Sequence, residues 1–273
     1  MSGAALALAL AAAVLHASWN LLIARAPDSE TATAVAVITA VVAFAPVAVL
    51  TWRVDAAAVP FIVASSLLEL AYTAMLAWSY QHVPLSIVYP VARGGAPVIV
   101  LGVSALALGV PTSAGQVVGV GVVATGVMLV RGLRGDVPLR TLRVPLLIAC
   151  TIAGYTLVDR YGIRHAAALP YFELAMAGNL AYPVAIARTR GVAALRGALR
   201  PANVVAGIAL FGAYALVLAA LRLAPPGPVS AVRESSVVLA TAFAAVALRE
   251  RVDRRRLLGA ACVTAGVALL ALS

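Results

Sequence analysis

PLSIVYPVARGGAPVIV, residues 84–100, sets one arginine, Arg93, about nine residues inside an otherwise apolar run. At 1.5 Å per helical residue that depth is roughly 13 Å, close to the middle of a ~30 Å hydrocarbon core. A charge at that depth costs roughly 2.5–3.5 kcal/mol and normally faces a cavity or a partner. A second stretch, PPGPVSAVRESSVVLATAFAAVALRE (residues 225–250), does the same with Arg233 and adds Glu234 directly after it. These two stretches decide the fold, because they imply a repeated membrane-spanning unit with polar groups at matching depths.

The rest of the chain agrees. Of its 273 residues 63% are apolar and 11% charged, with a mean hydropathy of +1.03. A soluble domain carries about 25% charge, so the composition excludes a soluble enzyme, a disordered chain and a nucleic-acid binder. The net charge of +10 comes entirely from arginine, since the sequence contains no lysine. Without lysine there is no P-loop and no retinal or PLP Schiff base, so no such cofactor is expected and any transport is secondary or facilitated. Cys150 and Cys262 lie in apolar runs without ligand spacing, which predicts buried free thiols and no metal site.

Apolar runs separated by charge, proline or glycine give ten predicted spans: 4–24, 31–51, 57–80, 84–108, 112–130, 144–163, 168–187, 202–222, 226–248 and 255–272. The first has no basic residue ahead of it and is long enough to span, so it reads as a helix and not a signal peptide. Shifting the first half by about 140 residues superposes Arg93 on Arg233, Gly119 on Gly259 and Gly126 on Gly266; a two-residue gap puts Tyr72 on Tyr214. Five spans per copy is odd, so the second copy enters from the opposite side. The expected fold is an all-α integral membrane protein of ten transmembrane helices in two inverted five-helix repeats, residues 1–130 and 144–273, joined by a linker at 131–143.

HASWNLLIAR (residues 16–25), residues 84–100, GQVVGVGVVATGVMLV (115–130), residues 225–250 and LLGAACVTAGVALL (257–270) together resemble the drug/metabolite transporter superfamily, ten-helix EamA type. The resemblance covers nearly the whole chain. It implies a metabolite permease working by alternating access, with the first helix lining a central cavity and cytoplasmic termini. The family often carries an acidic residue before the last helix of each half; Glu250 fills that place in the second half and Val110 in the first.

Several side chains are candidates for the site. Ser86, Tyr89 and Arg93 share a helix face, where a guanidinium beside a phenol suits a carboxylate; the other reading is an arginine that ties helices together. Arg233 is the repeat partner, and Glu234, one turn after Ser230, is a counter-ion that would reach Arg93 across the pseudo-twofold axis. Pro225, Pro226 and Pro228 read as the start of span 9. Arg233 and Glu234 point to different sides of their helix and need not pair. Glu69, Tyr72, Leu76 and Ser79 share a face of span 3, and Glu69 and Glu173 are proton acceptors or interfacial carboxylates. Asp159 and Arg160 read as an interfacial pair. His16, Trp19 and Asn20 share a face of span 1, with His16 as a proton-coupling or packing group and Trp19 as a cavity or belt residue. Tyr72, Tyr89, Tyr155 and Tyr214 suggest an aromatic-lined cavity. The expected substrate-binding set is therefore Trp19, Asn20, Tyr72, Tyr89, Arg93, Tyr214 and Arg233, and the expected proton-coupling or counter-ion set is His16, Glu69, Glu173 and Glu234.

The glycine stripes suit close helix packing, and a homodimer face is a second reading. Ten spans put both termini on one side of the cell (inner) membrane. Fourteen arginines lie in the connectors of the opposite side, which by the positive-inside rule places the termini outside the cytoplasm, against the orientation the resemblance implies. The expected partners are a small-molecule substrate and the lipid bilayer, with no nucleic acid. The favoured function is a secondary transporter, most readily an exporter, of small polar or amphipathic metabolites such as amino acids. An integral-membrane acyl or isoprenoid transferase is the alternative, but no clustered acid/base or aspartate-rich motif supports it.

Overall fold

The computed structural model describes residues 2–108, 111–131, 137–221, 223–224, 229 and 232–272. Twelve α-helices make up the described chain: α1 (Gly3–Ala24), α2 (Ser29–Leu50), α3 (Val59–His82), α4 (Leu85–Leu108), α5 (Ala114–Arg131), α6 (Leu139–Gly162), α7 (Ala168–Gly178), α8 (Ala181–Arg190), α9 (Val192–Gly197), α10 (Pro201–Leu221), α11 (Ser236–Ala247) and α12 (Arg254–Leu272). Among the described residues there is no strand, only one isolated antiparallel bridge between Val54 and Ala166.

Among the described residues seven helices are long and apolar enough to cross a bilayer: α1, α2, α3 with its leading 3-10 turn, α4, α6, α10 and α12. The shorter apolar helices α5 and α11 and the end-to-end pair α7–α8 correspond to the other three predicted spans. This is a multi-pass membrane protein. Its outer surface shows why: Leu6, Leu10 and Val14 on α1, and Val59, Val63 and Leu67 on α3, are exposed at every fourth position and form apolar stripes along single helix faces. The same helix α1 buries Ala5, Ala9, Ala12, Ala13 and Ala17. Small residues replace the hydrophobic drive that is lost in lipid, because they let helices approach closely and gain dispersion contact.

The packing pairs elements distant in sequence. α1 lies on α10, α3 on α6, α4 on α6, α2 on α10, and α5 on α12. The α5–α12 contact is the most extensive. A Cβ on Gly126 would stand 2.7 Å from Gly259 O, and one on Gly266 would stand 2.7 Å from Val123 N and 2.8 Å from Gly119 O. The paired glycine stripes therefore serve packing, inside one chain, and are not free to form a dimer face.

Two predicted spans are broken. Span 7 stops at Asn179–Leu180 before resuming as α8, which ends in Arg188 and Arg190 and leads into α9. Span 9 turns at Glu234–Ser235, where three-residue hydrogen bonds (Ser235 N to Val232 O, Val237 N to Glu234 O) replace the helical ladder before α11 begins. Pro225, Pro226, Pro228 and Ser230, together with Val110 and linker residues 132–136, lie outside the described residues. The cysteines are free, as expected, but Cys150 is exposed and Cys262 half-buried, because their helix positions face away from neighbouring helices.

At one face the α2–α3 and α6–α7 connections are joined by backbone: Asp55 N donates to His165 O at 2.9 Å, and Ala167 N to Arg53 O at 2.7 Å. At the other face, Asp28 caps α2 and accepts from Gln81 Nε2 at 2.9 Å and Arg190 Nη1 at 2.8 Å, while Arg190 also pairs with Glu30. Glu250 closes the same face by accepting the backbone N–H groups that open α4.

Candidate functional site

A cavity of about 200 Å³ lies among α1, α2, α3, α4, α6, α7 and α10. Its polar wall holds His16, Thr33, Glu69, Thr73, Arg93, Asp159, Asn179 and Arg233, and its aromatic wall holds Trp19, Tyr72, Tyr155, Tyr171, Phe172 and Tyr214. Ile163, at the end of α6, also lines it, so the cavity runs from mid-membrane toward the face of the α6–α7 connection. The opposite face is the one held by Glu250 and by the Arg190 cluster.

The arginines meet at one carboxylate. Arg93 Nη2 lies 2.8 Å from Glu234 Oε1, and Arg233 Nη2 lies 3.1 Å from the same oxygen. Glu234 is 3% exposed and does not line the cavity, whereas both arginines do. Two positive charges thus share one negative charge placed behind them, and the cluster presents one net positive charge to the cavity. The reading that Arg233 and Glu234 need not pair is corrected here. The turn at Glu234–Ser235 frees the carboxylate from helical side-chain geometry and lets it reach both guanidiniums. The turn itself is tied to α12 by Thr264 Oγ1, which donates to Glu234 O at 3.3 Å.

Opposite this cluster, Glu69 Oε2 accepts from Asn179 Nδ2 at 3.2 Å, and Thr73 Oγ1 lies 3.4 Å from Asn179 Oδ1. Asn179 sits at the α7–α8 break, where the chain can turn a side chain inward. Sequence reading missed it because a lone asparagine inside an apolar span carries no motif. Asp159 was also misplaced. It forms no ion pair with Arg160; Tyr171 Oη donates to Asp159 Oδ1 at 2.9 Å, and Asp159 faces the cavity one turn inside the end of α6.

The aromatic residues divide by role. Tyr72 and Tyr155 meet edge to face at 6.1 Å, and Tyr214 stacks on Phe172 at 3.9 Å. His16 and Trp19 meet edge to face at 5.4 Å. All six line the cavity. Besides Glu234, three members of the expected sets do not. Tyr89 Oη donates to Ser236 Oγ at 3.2 Å and ties α4 to α11. Asn20 donates to His16 O at 2.6 Å and accepts a short hydrogen bond from Tyr80 Oη. Glu173 is buried, neither of its oxygens has a hydrogen-bond partner among the described residues, and it stands outside the cavity.

No group of three or more His, Cys, Asp or Glu side chains among the described residues is arranged to hold a metal ion. Chemically, the cavity offers a guanidinium pair, two carboxylates, one of them held by an amide donor, and aromatic surface. Residues 144–272 match the family model described as the EamA-like transporter family. No curated protein matches the chain.

Proposed function

Since its EamA-type second half places the chain in the drug/metabolite transporter superfamily, we propose that it is a secondary transporter, working in export, for a small amphipathic metabolite that carries a carboxylate. The observation that carries this reading is the shared Glu234. One carboxylate offsets one of two guanidiniums, so a monoanionic substrate would complete the charge balance of that cluster. Charge-assisted contacts from Arg93 and Arg233 would hold its carboxylate, the guanidinium fork suiting that group better than a point charge does. Trp19, Tyr72, Tyr155 and the Phe172–Tyr214 stack would bury its apolar part. Glu69, on the opposite wall, would accept an ammonium group or a proton, so an amino acid fits both ends.

Residues 1–130 and 144–273 act in this reading as two inverted halves. The pairings α1 with α10 and α3 with α6 support it, because exchanging the two halves converts one into the other. Alternating access would close the wide end of the cavity near Ile163 and open the face held by Glu250. The protein would span the cell membrane with both termini on one side.

The test is a panel of amino acids and other small carboxylates screened by thermal stabilisation of purified protein, followed by flux in proteoliposomes. Arg233→Leu is the informative variant, because it leaves the Arg93–Glu234 pair in place. Loss of carboxylate-dependent stabilisation and of flux, with normal expression and melting, is expected. Full flux in that variant would end the reading.

A further inference from the structure

A second concavity, of about 540 Å³, opens on the face held by Arg190, between the α1–α2 connection and the α9–α10 segment. Arg25 and Arg200 stand on its two sides and both are exposed. The one acidic residue in its wall, Asp28, is already engaged by Arg190, by Gln81 and by the start of α2. Arg25, Arg188, Arg196 and Arg200 have no carboxylate partner among the described residues, so this corner keeps a surplus of positive charge. Leu22, Ala26, Pro27, Ala194 and Ala198 supply an apolar lining. Immediately beside it, Val192 and Leu199 are 54% and 66% exposed. An arginine-flanked cleft next to outward-facing aliphatic side chains, at the end of membrane-crossing helices, combines what a phosphate and an acyl chain each need.

We propose that this cleft binds the phosphate of an anionic phospholipid between Arg25 and Arg200, with the lipid's chains lying over Val192 and Leu199. The two arginines come from the α1–α2 connection and from the start of α10. The bound lipid therefore bridges segments far apart in sequence and stabilises the closed arrangement of this face.

The experiment uses full-length protein in a neutral detergent, melted with added phosphatidylglycerol, phosphatidylcholine or inorganic phosphate. Phosphatidylglycerol should raise the melting temperature saturably and phosphatidylcholine should not. Each arginine near a membrane phosphate is worth a factor of about five, so Arg25→Gln/Arg200→Gln should weaken the apparent lipid affinity about thirtyfold. Arg25→Lys/Arg200→Lys should retain most of it, and Arg188→Gln, outside the cleft, should not alter it. If the double glutamine variant fails to fold, the single variants should each lose about fivefold. Equal stabilisation by phosphatidylcholine, an unchanged affinity in the glutamine variants, or saturation by inorganic phosphate at the same concentration as by the lipid would each overturn the proposal.

Discussion

Glu250 caps a helix to which it does not belong. Its Oε1 accepts from Leu85 N at 2.8 Å and its Oε2 from Ser86 N at 3.1 Å, across 165 residues of chain. The first N–H groups of a helix have no partner within it, and a carboxylate there is favoured by hydrogen bonding and by the helix dipole together. The contact joins the α11–α12 connection to the entry of α4, the helix that carries Arg93. It is thus both a cap and a bolt on the face away from the cavity's mouth.

Breaking that bolt should act on stability and on accessibility together. Glu250→Ala is expected to cost about 1 kcal/mol, the usual worth of a helix cap. Glu250→Gln should cost less, since an amide oxygen still accepts one N–H. In a background lacking Cys150 and Cys262, a cysteine at Val83 should react faster with a membrane-impermeant maleimide in Glu250→Ala than in the parent. Equal labelling rates would show that Glu250 is a cap alone.

The α5–α12 glycines make a sharper prediction. A Cβ on Gly126 would stand 2.7 Å from both Gly259 O and Val263 N, backbone atoms that no rotamer change can move. A Cβ on Gly121, on the same helix, meets nothing within 4 Å. Gly126→Ala should therefore push two helices apart and lower the melting temperature markedly. Gly121→Ala should be neutral or slightly stabilising, because alanine is the better helix former. Fluorescence-detected size exclusion after a heating series would compare them directly.

The Arg93–Glu234 pair is nearly dry, at 12% and 3% side-chain exposure. Removing one partner of such a pair leaves an uncompensated buried charge and costs about 3–5 kcal/mol, whereas replacing both with apolar groups is often close to neutral. Glu234→Leu should therefore express poorly, since it strands two guanidiniums. Arg93→Leu/Glu234→Leu should recover part of the folded yield while remaining unable to hold a carboxylate. A double variant as damaged as the sum of the two singles would show that the pair contributes no coupling.

Much of this was legible in the residues. Run length and spacing marked the long apolar helices, because a bilayer demands about twenty apolar residues and offers no alternative backbone partner. Arg93, Arg233 and Glu234 stood out because charge in such runs is rare. The breaks at Asn179–Leu180 and Glu234–Ser235 were not legible, since each depends on tertiary partners: Asn179 on Glu69, and Glu234 on Arg93 and Thr264. For the same reason Asp159 looked interfacial. Its distance from the helix end suggested water, and only the neighbouring Tyr171 and the cavity reveal its direction. Tyr89 and Asn20 share faces with cavity residues, yet Ser236 and Tyr80 claim their polar atoms, which helix periodicity alone cannot register.

The Asn179–Glu69 contact offers a test that depends on pH. Asn179 Nδ2 is the one side-chain donor seen on Glu69 among the described residues, at 3.2 Å, within a site 5% exposed at Glu69 and 1% at Asn179. Asn179→Ala removes that donor and leaves the carboxylate facing the cavity without support, which should loosen the α7–α8 break and lower the melting temperature. Asn179→Asp goes further by setting a second carboxylate against Glu69, where low polarity magnifies like-charge repulsion. Acid relieves that repulsion by protonating one of the two groups. The melting temperature of Asn179→Asp should therefore rise relative to the parent as the pH falls, while that of Asn179→Leu/Glu69→Gln, with no charge to relieve, should follow the parent. A constant difference between Asn179→Asp and the parent across pH would show that Glu69 carries no charge in the folded protein.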